Sequence, residues 1–540
     1  MISRLSSSIA AAALMATLGC TKILPPLTAP EAGGAPWREL VSKHVVLRTD
    51  REDEDAREAL VELEQTIVAL HDLAFPNVDI DNRRLLAVHF DRERDYTSFY
   101  RAGTAGTFVW RLPNDLEPEP TMIVWGKLDA SARTTLQHEL THLFVRSSTA
   151  GLPPWLNEGL AEYYETLAVE DGHAYLGRPM QKARAWPQTQ WRSERVGPIM
   201  RLLVPIGHVP PVADLVSMDQ AAFYVWTDKG RQPTLDEQRK GISNYLGAFG
   251  LVHLLMHDPA YQPRYDRMME LAAQGSSPRA AWDTAFADVE AEELELAYRQ
   301  HMLNIHRFET MVLRTAYEHR NVTIDVNRVM DPAEVHLLWA RLRPWSRDPE
   351  TAKAEIATAV KLAPSSAEVA FWTGVFELRQ GSLAAAASEM TAAVTAKPDD
   401  PRYLHGLAIA HRELATTPKA DTDAAQREAD AMARLGKLAK TGTELNTVAD
   451  HHGRSGRWDE ALVFAQRAVK ADPTCFVCFV TLGEAFFAKQ QPGDAAAAQT
   501  IALSLLPDGV EAPEEDARLR KYLLAAGKKP AEKDGGGEGR

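Results

Sequence analysis

Cysteine is nearly missing from this chain: three occur in 540 residues. A small secreted scaffold stapled by many disulfides is therefore excluded. So is a four-thiolate zinc site, because Cys475 and Cys478 have no second pair to join them. Their Cys-x-x-Cys spacing lacks the βαβ context of a redox motif. It reads as two buried thiols on one helix face, or as a disulfide made in an oxidising compartment. Positive charge is scarce too. Lys and Arg number 60 against 74 Asp and Glu, and the net charge of −14 is spread along the chain. A phosphate backbone demands clustered cations, so no nucleic acid is expected as a partner. No apolar run is long enough for a permanent membrane helix. What remains has the composition of an ordinary folded protein, at a length that implies two to four domains.

Residues 1–20 read as a targeting segment outside the fold. Arg4 gives a basic start, and Ile9 to Leu18 is an unbroken run of small and apolar residues. The run ends in Thr17-Leu18-Gly19-Cys20, which resembles the cleavage box of bacterial lipoproteins. That resemblance implies lipid on Cys20, residence in the bacterial cell envelope (periplasm or outer membrane), and membrane contact only through the N-terminal lipid. Ordinary secretion is the alternative. Residues 21–36, rich in Pro, Ala and Gly, read as a linker.

From 37 to 165 the periods alternate, which points to an α+β unit with a small sheet packed on helices. Strands are expected over Val45 to Arg48, Leu85 to Phe90, Thr107 to Arg111 and Met122 to Trp125. A helix is expected over Glu52 to Leu73, a short one around Tyr96 to Tyr100, and a third from an N-cap near Ser131. Met122 to Trp125 reads as an ordinary structural strand, or as a sheet edge that aligns an extended peptide. Residues 166–328 read as a helical subdomain, with the Pro-rich stretch Gly177 to Pro211 unassigned.

Residues 329–510 repeat. Pro364 and Pro398 are 34 apart, as are Pro473 and Pro507. Twelve residues before each stands Ala352, Ala386, Ala461 or Ala495, and twenty-four before stands Ala340, Gly374, Ala449 or Gly483. Small residues at these phases let paired helices approach closely. Period and phase resemble the tetratricopeptide repeat, which implies a C-terminal α-solenoid that binds a protein partner. Pro398 to Pro473 holds two repeats plus seven residues, and the surplus is expected in the loop Thr416 to Thr422. Residues 511–540 read as a tail, disordered from about 528.

Residues 138 to 142 read His-Glu-Leu-Thr-His. On a helix, i and i+4 lie one turn apart on one face, so both imidazoles reach one ion. Glu139 projects beside them, where a carboxylate takes a proton from water. Sixteen residues on, Asn-Glu-Gly-Leu-Ala-Glu-Tyr brings Glu158 as a third ligand. HELTH followed by NEGLAEY resembles the gluzincin zinc peptidases, and its Pro154 to Gly159 segment is similar to the peptidase-MA-like group.

That resemblance implies a zincin catalytic domain over 37–165, Zn2+ held by His138, His142 and Glu158, and Glu139 as general base. It implies that Glu162 orients a zinc-bound His. It also implies Tyr245, before the apolar Gly250 to Leu255 run, as an oxyanion donor; a Tyr packing at a helix start is the other reading. The expected activity is hydrolysis of a peptide or protein substrate, as an endopeptidase, because no Gly-x-Met-x-Asn strand is present to hold a substrate amino terminus. The rival is a non-catalytic envelope scaffold with a relic zincin fold. His253 and His257, also at i and i+4, lack a following Glu and read as a satisfied core pair or a helix-end His, while His451/His452 and His301/His306 lack ligand spacing.

Overall fold

The computed structural model describes residues 27–80, 84–100, 106–109, 116, 121–127, 130–148, 152–177, 209–225, 234–273, 276–303, 313–343, 348–417, 423–506 and 512–527. Cys20, residues 178–208, all of Pro113 to Pro120 except Leu116, and the 528–540 tail lie outside them.

The chain opens with β1 (Arg38–Val41), β2 (Val45–Thr49), α1 (Asp53–Ala74), β3 (Leu85–Phe90), α2 (Glu93–Tyr96), β4 (Gly106–Val109), β5 (Thr121–Trp125), α3 (Ala130–Ser148) and α4 (Pro154–Tyr164). The short helix expected around Tyr96 to Tyr100 is α2, which instead ends at Tyr96, and α3 opens at Ala130. A six-stranded sheet has the order β4-β5-β3-β2-β1-β9, where β9 is Val326–Val329. The β2-β3 and β3-β5 pairs are parallel, while β4 runs antiparallel to β5. Since β5 sits between β3 and β4, Met122 to Trp125 is an interior strand and the edge reading is corrected: β4 is the edge.

All six residues of β3 are buried, because both faces of the sheet are covered. Leu85 and Ala87 pack toward α1, α3 and α4 with Leu60, Leu140 and Leu156. Leu86, Val88 and Phe90 pack on the opposite face with Trp37, Val335, Leu338 and Trp339.

The middle third is not purely helical. Strands β6 (Ala168–Glu170), β7 (His173–Leu176) and β8 (Leu313–Ala316) form a second, antiparallel sheet. Between β7 and β8 come α5 (Val212–Ser217), α6 (Gln220–Phe223), α7 (Leu235–His257), α8 (Gln262–Ala273), α9 (Pro278–Ala285) and α10 (Ala291–Leu303). The boundary at 328 falls inside β9, which returns to pair with β1. The linker reading is also corrected in part. Residues 30–32 form a 3-10 turn, Leu27 packs on the Trp37 core, and Glu31 accepts from His336 Nε2 at 2.8 Å.

Five helical pairs follow: α11 (Pro332–Leu342) with α12 (Pro349–Leu362), α13 (Ala367–Arg379) with α14 (Leu383–Ala396), α15 (Pro401–Ala415) with α16 (Ala424–Leu438), α17 (Gly442–Arg454) with α18 (Trp458–Ala471), and α19 (Phe476–Ala488) with α20 (Pro492–Ser504). Ala340, Ala352, Ala386, Ala449, Ala461 and Ala495 are at most 1% exposed. A Cβ on Gly374 would meet the Ala386 carbonyl at 3.2 Å. Small size at these positions is thus what sets the helix spacing. The eight residues 416–423 separate α15 from α16, where the surplus was expected.

Residues past 511 are not all tail. Helix α21 (Pro513–Ala525) buries Tyr522 against Phe487, 4.7 Å between ring centroids. It covers the apolar end that a last repeat leaves open. The structure joins Cys475 and Cys478 by a disulfide at the start of α19, so of the two readings the free-thiol one is overturned.

Candidate metal centre

Helix α3 carries His138 and His142 on the face turned to α4, while Leu136, Leu140 and Phe144 are buried in the sheet-side core. Pro153 and Pro154 start α4, where a missing N–H costs nothing. Gly159 lets α4 lie close on α7: a Cβ there would meet Val252 Cγ2 at 2.6 Å and the Ala248 oxygen at 2.7 Å. These two contacts set the depth at which Glu158 sits.

The structure brings His138, His142 and Glu158 together, with one ligand atom from each within 4.8 Å of the others. Glu158 Oε2 lies 3.3 Å from His138 Nε2 and 3.5 Å from His142 Nε2. Ligands at 2.0–2.1 Å on the corners of a tetrahedron are about 3.3 Å apart, so the spacing suits one zinc ion. Oε2 is buried, and apart from these two facing ring nitrogens it has no hydrogen-bond partner. A buried carboxylate oxygen left so is costly unless a cation completes it.

The outer nitrogens fix the tautomers. His138 Nδ1 lies 3.1 Å from Glu165 Oε2, and His142 Nδ1 lies 3.2 Å from Asn157 Oδ1. Both oxygens only accept, so each Nδ1 donates outward, and Nε2 is the ring atom each histidine turns toward Glu158. Glu165, three residues beyond the Glu162 expected in this role, is a partner of His138 Nδ1. Glu162 stays close, in a group with His138 and Glu165 whose ligand atoms lie within 4.8 Å of one another.

Burial opposes charge throughout the site, and neighbours decide the outcome. On His138 burial is outweighed by Glu158 and Glu165, which raise its pKa well above the ordinary value. On Glu158 burial is outweighed by His142 and His138, which hold it far below the ordinary carboxylate range. On Glu139 burial wins over both imidazoles and the pKa rises.

Tyr245 does not precede the apolar helix. It lies inside α7, which starts ten residues earlier because Thr234 and Glu237 form a capping box. It is nonetheless near the site: burial, then Glu158, Tyr224, Glu162 and Glu139, raise its pKa well above the ordinary phenol. Tyr224 was not singled out by the sequence, where Phe-Tyr-Val-Trp shows no pattern, yet its hydroxyl donates to Glu158 Oε1 at 2.6 Å. His253 is fully buried, with Nδ1 3.1 Å from His301 Nε2 and Nε2 3.2 Å from the Gly177 carbonyl, so it is a core residue as expected.

A tetratricopeptide-repeat family model matches residues 339–401. The C-terminal helical pairs are tetratricopeptide repeats. Repeats of this kind are surfaces for protein–protein contact. Comparison with curated proteins gives no match. Among solved structures, a thermophilic TPR protein of Thermus thermophilus is similar at 16% identity over 36% of this chain and 99% of that one, with a TM-score of 0.30. PilW, a type IV pilus biogenesis factor, is similar at 17% identity over 37% of this chain and 88% of that one, TM-score 0.32. PilF of Pseudomonas aeruginosa is similar at 9% identity over 36% and 84%, TM-score 0.31. None of these spans half of this chain, and the repeat assignment rests on the family model and the helical pairs.

Proposed function

We propose that this chain is a zinc-dependent peptidase of the gluzincin type, exported to the bacterial envelope and anchored there by lipid on Cys20, whose repeats hold a protein partner or substrate. One observation carries the reading: a buried carboxylate oxygen on Glu158 within 3.5 Å of two imidazole nitrogens whose other nitrogens are already committed. His138, His142 and Glu158 would hold the ion. Zinc bound there supplies Lewis acidity, polarising a carbonyl and acidifying water. Glu139 accepts the proton of the attacking water and returns it to the leaving amine. Tyr245, kept protonated by burial beside Glu158, is the donor for the oxyanion.

The scaffold reading draws on the repeat match at 339–401. One experiment separates the two. Metal content and cleavage of a broad peptide library are measured for the wild type and Glu139→Gln. The expected result is about one zinc per chain in both, with cleavage in the wild type alone. Equal cleavage by both proteins would refute the assignment, and zinc without any cleavage would favour the scaffold.

A further inference from the structure

Glu158 Oε1 and Oε2 have different surroundings. Oε1 accepts the Tyr224 hydroxyl at 2.6 Å, whereas Oε2 has no hydrogen-bond partner apart from the two Nε2 atoms it faces. Tyr224 is itself braced. It follows α6, whose N-terminus is capped by Asp219 through Ala222 N at 2.7 Å. The buried Asn244 of α7 donates to the Phe223 carbonyl at 2.9 Å, and Phe223 is fully buried. The phenol is thus presented to Glu158 from a backbone pinned by α7, the same helix on which α4 rests through Gly159.

We infer that Tyr224 is a positioning residue of the metal centre: by occupying Oε1 it makes Glu158 a one-oxygen ligand and keeps one coordination position open. The inference rests on the zinc reading above. A carboxylate freed on one oxygen can swing to bind through both, which fills the position that hydrolysis needs. Hydrogen bonds from outside the ligand set usually change metal affinity or activity 10- to 100-fold.

The test compares wild type, Tyr224→Phe and Tyr163→Phe in the full chain. Tyr163 is a control on the same helix as Glu158: its buried hydroxyl bonds His257 Nε2 at 2.8 Å and does not touch a ligand. Zinc affinity is measured by competition with a chromophoric chelator, and the visible spectrum is recorded with Co2+ in place of zinc. Tyr224→Phe should bind zinc roughly 10- to 100-fold more weakly, and its cobalt bands should weaken as coordination rises above four. Tyr163→Phe should leave both unchanged. Equal affinities with superimposable spectra for Tyr224→Phe, or equal losses in the two variants, would overturn the inference alone. A wild type that takes up neither metal would overturn the site as well.

Discussion

Replacing Gly159 by alanine pits two known effects against each other. In an open helix the change stabilises by about 1 kcal/mol, because glycine loses more backbone freedom on folding. Here the new methyl would lie 2.7 Å from the Ala248 oxygen and 2.6 Å from Val252 Cγ2, about 0.7 Å inside ordinary contact. The oxygen belongs to α7 backbone, and the valine is held near one rotamer in a helix. Neither moves easily, so α4 must lift. Overpacking of this kind costs about 2–3 kcal/mol, leaving a net loss of about 1–2 kcal/mol. At roughly 2–4 °C per kcal/mol, the melting temperature of the sheet-bearing body should fall by about 2–8 °C. Because Glu158 precedes Gly159, zinc should also stabilise the variant less than the wild type. Gly493, in the first turn of α20 with nothing within 4 Å of its Cβ position, is the control; there alanine should stabilise by about 0.4–1 kcal/mol. Thermal unfolding with and without zinc reads both. If Gly159→Ala raised the melting temperature as Gly493→Ala does, the account of how α4 is seated would be wrong.

Acid should unfold the middle of the molecule early. Burial, then His257, hold His253 at about 2 and His301 at about 4, below the ordinary 6.5. The unfolded chain therefore takes up protons that the native state refuses. Stability is full above about pH 6.5 and falls below it, by on the order of 1 kcal/mol per pH unit for each residue. Denaturation midpoints between pH 7 and 5 measure this, and a His253→Leu/His301→Leu variant should show a flatter profile; identical slopes would reject it. Reducing the Cys475–Cys478 disulfide should cost no more than about 2 kcal/mol, since the two residues are only 3 apart in sequence and close a very short loop. A larger loss in the Cys475→Ser/Cys478→Ser variant would mean the bond does more than restrain the unfolded chain.

Patterns confined to one element were legible in advance. The buried run of β3, the i, i+4 histidines and the 34-residue phase of Ala340, Gly374, Ala449 and Gly483 are all set by local geometry. Choices that depend on how two elements cross were not. Glu162 and Glu165 follow Glu158 by four and seven residues, both returning near one helix face, and only the placement of α3 decides which meets His138. Tyr224 lies 66 residues from Glu158, so no spacing rule connects them. Strand β9 is four residues long, with Val326 and Val329 both exposed, and joins β1 across almost three hundred residues.

That late return bears on how the two halves communicate. Helix α11 opens the first repeat, yet Val335, Leu338 and Trp339 are buried under the sheet face opposite α3, with Leu86, Val88 and Phe90. Its other side faces the solenoid: Ala333, Leu337 and Ala340 belong to the repeat core. Arg328 ties the same junction from the strand side, pairing with Glu39 at 2.7 Å and Glu334 at 2.6 Å. A flexible linker between the halves would let a bound partner sample many positions relative to Glu139. A shared helix with an apolar core on each side instead fixes the first repeat to the strands that also support α3. On the peptidase reading proposed above, a protein bound by the early repeats would be held at a defined distance from the HELTH helix, so that binding would serve positioning.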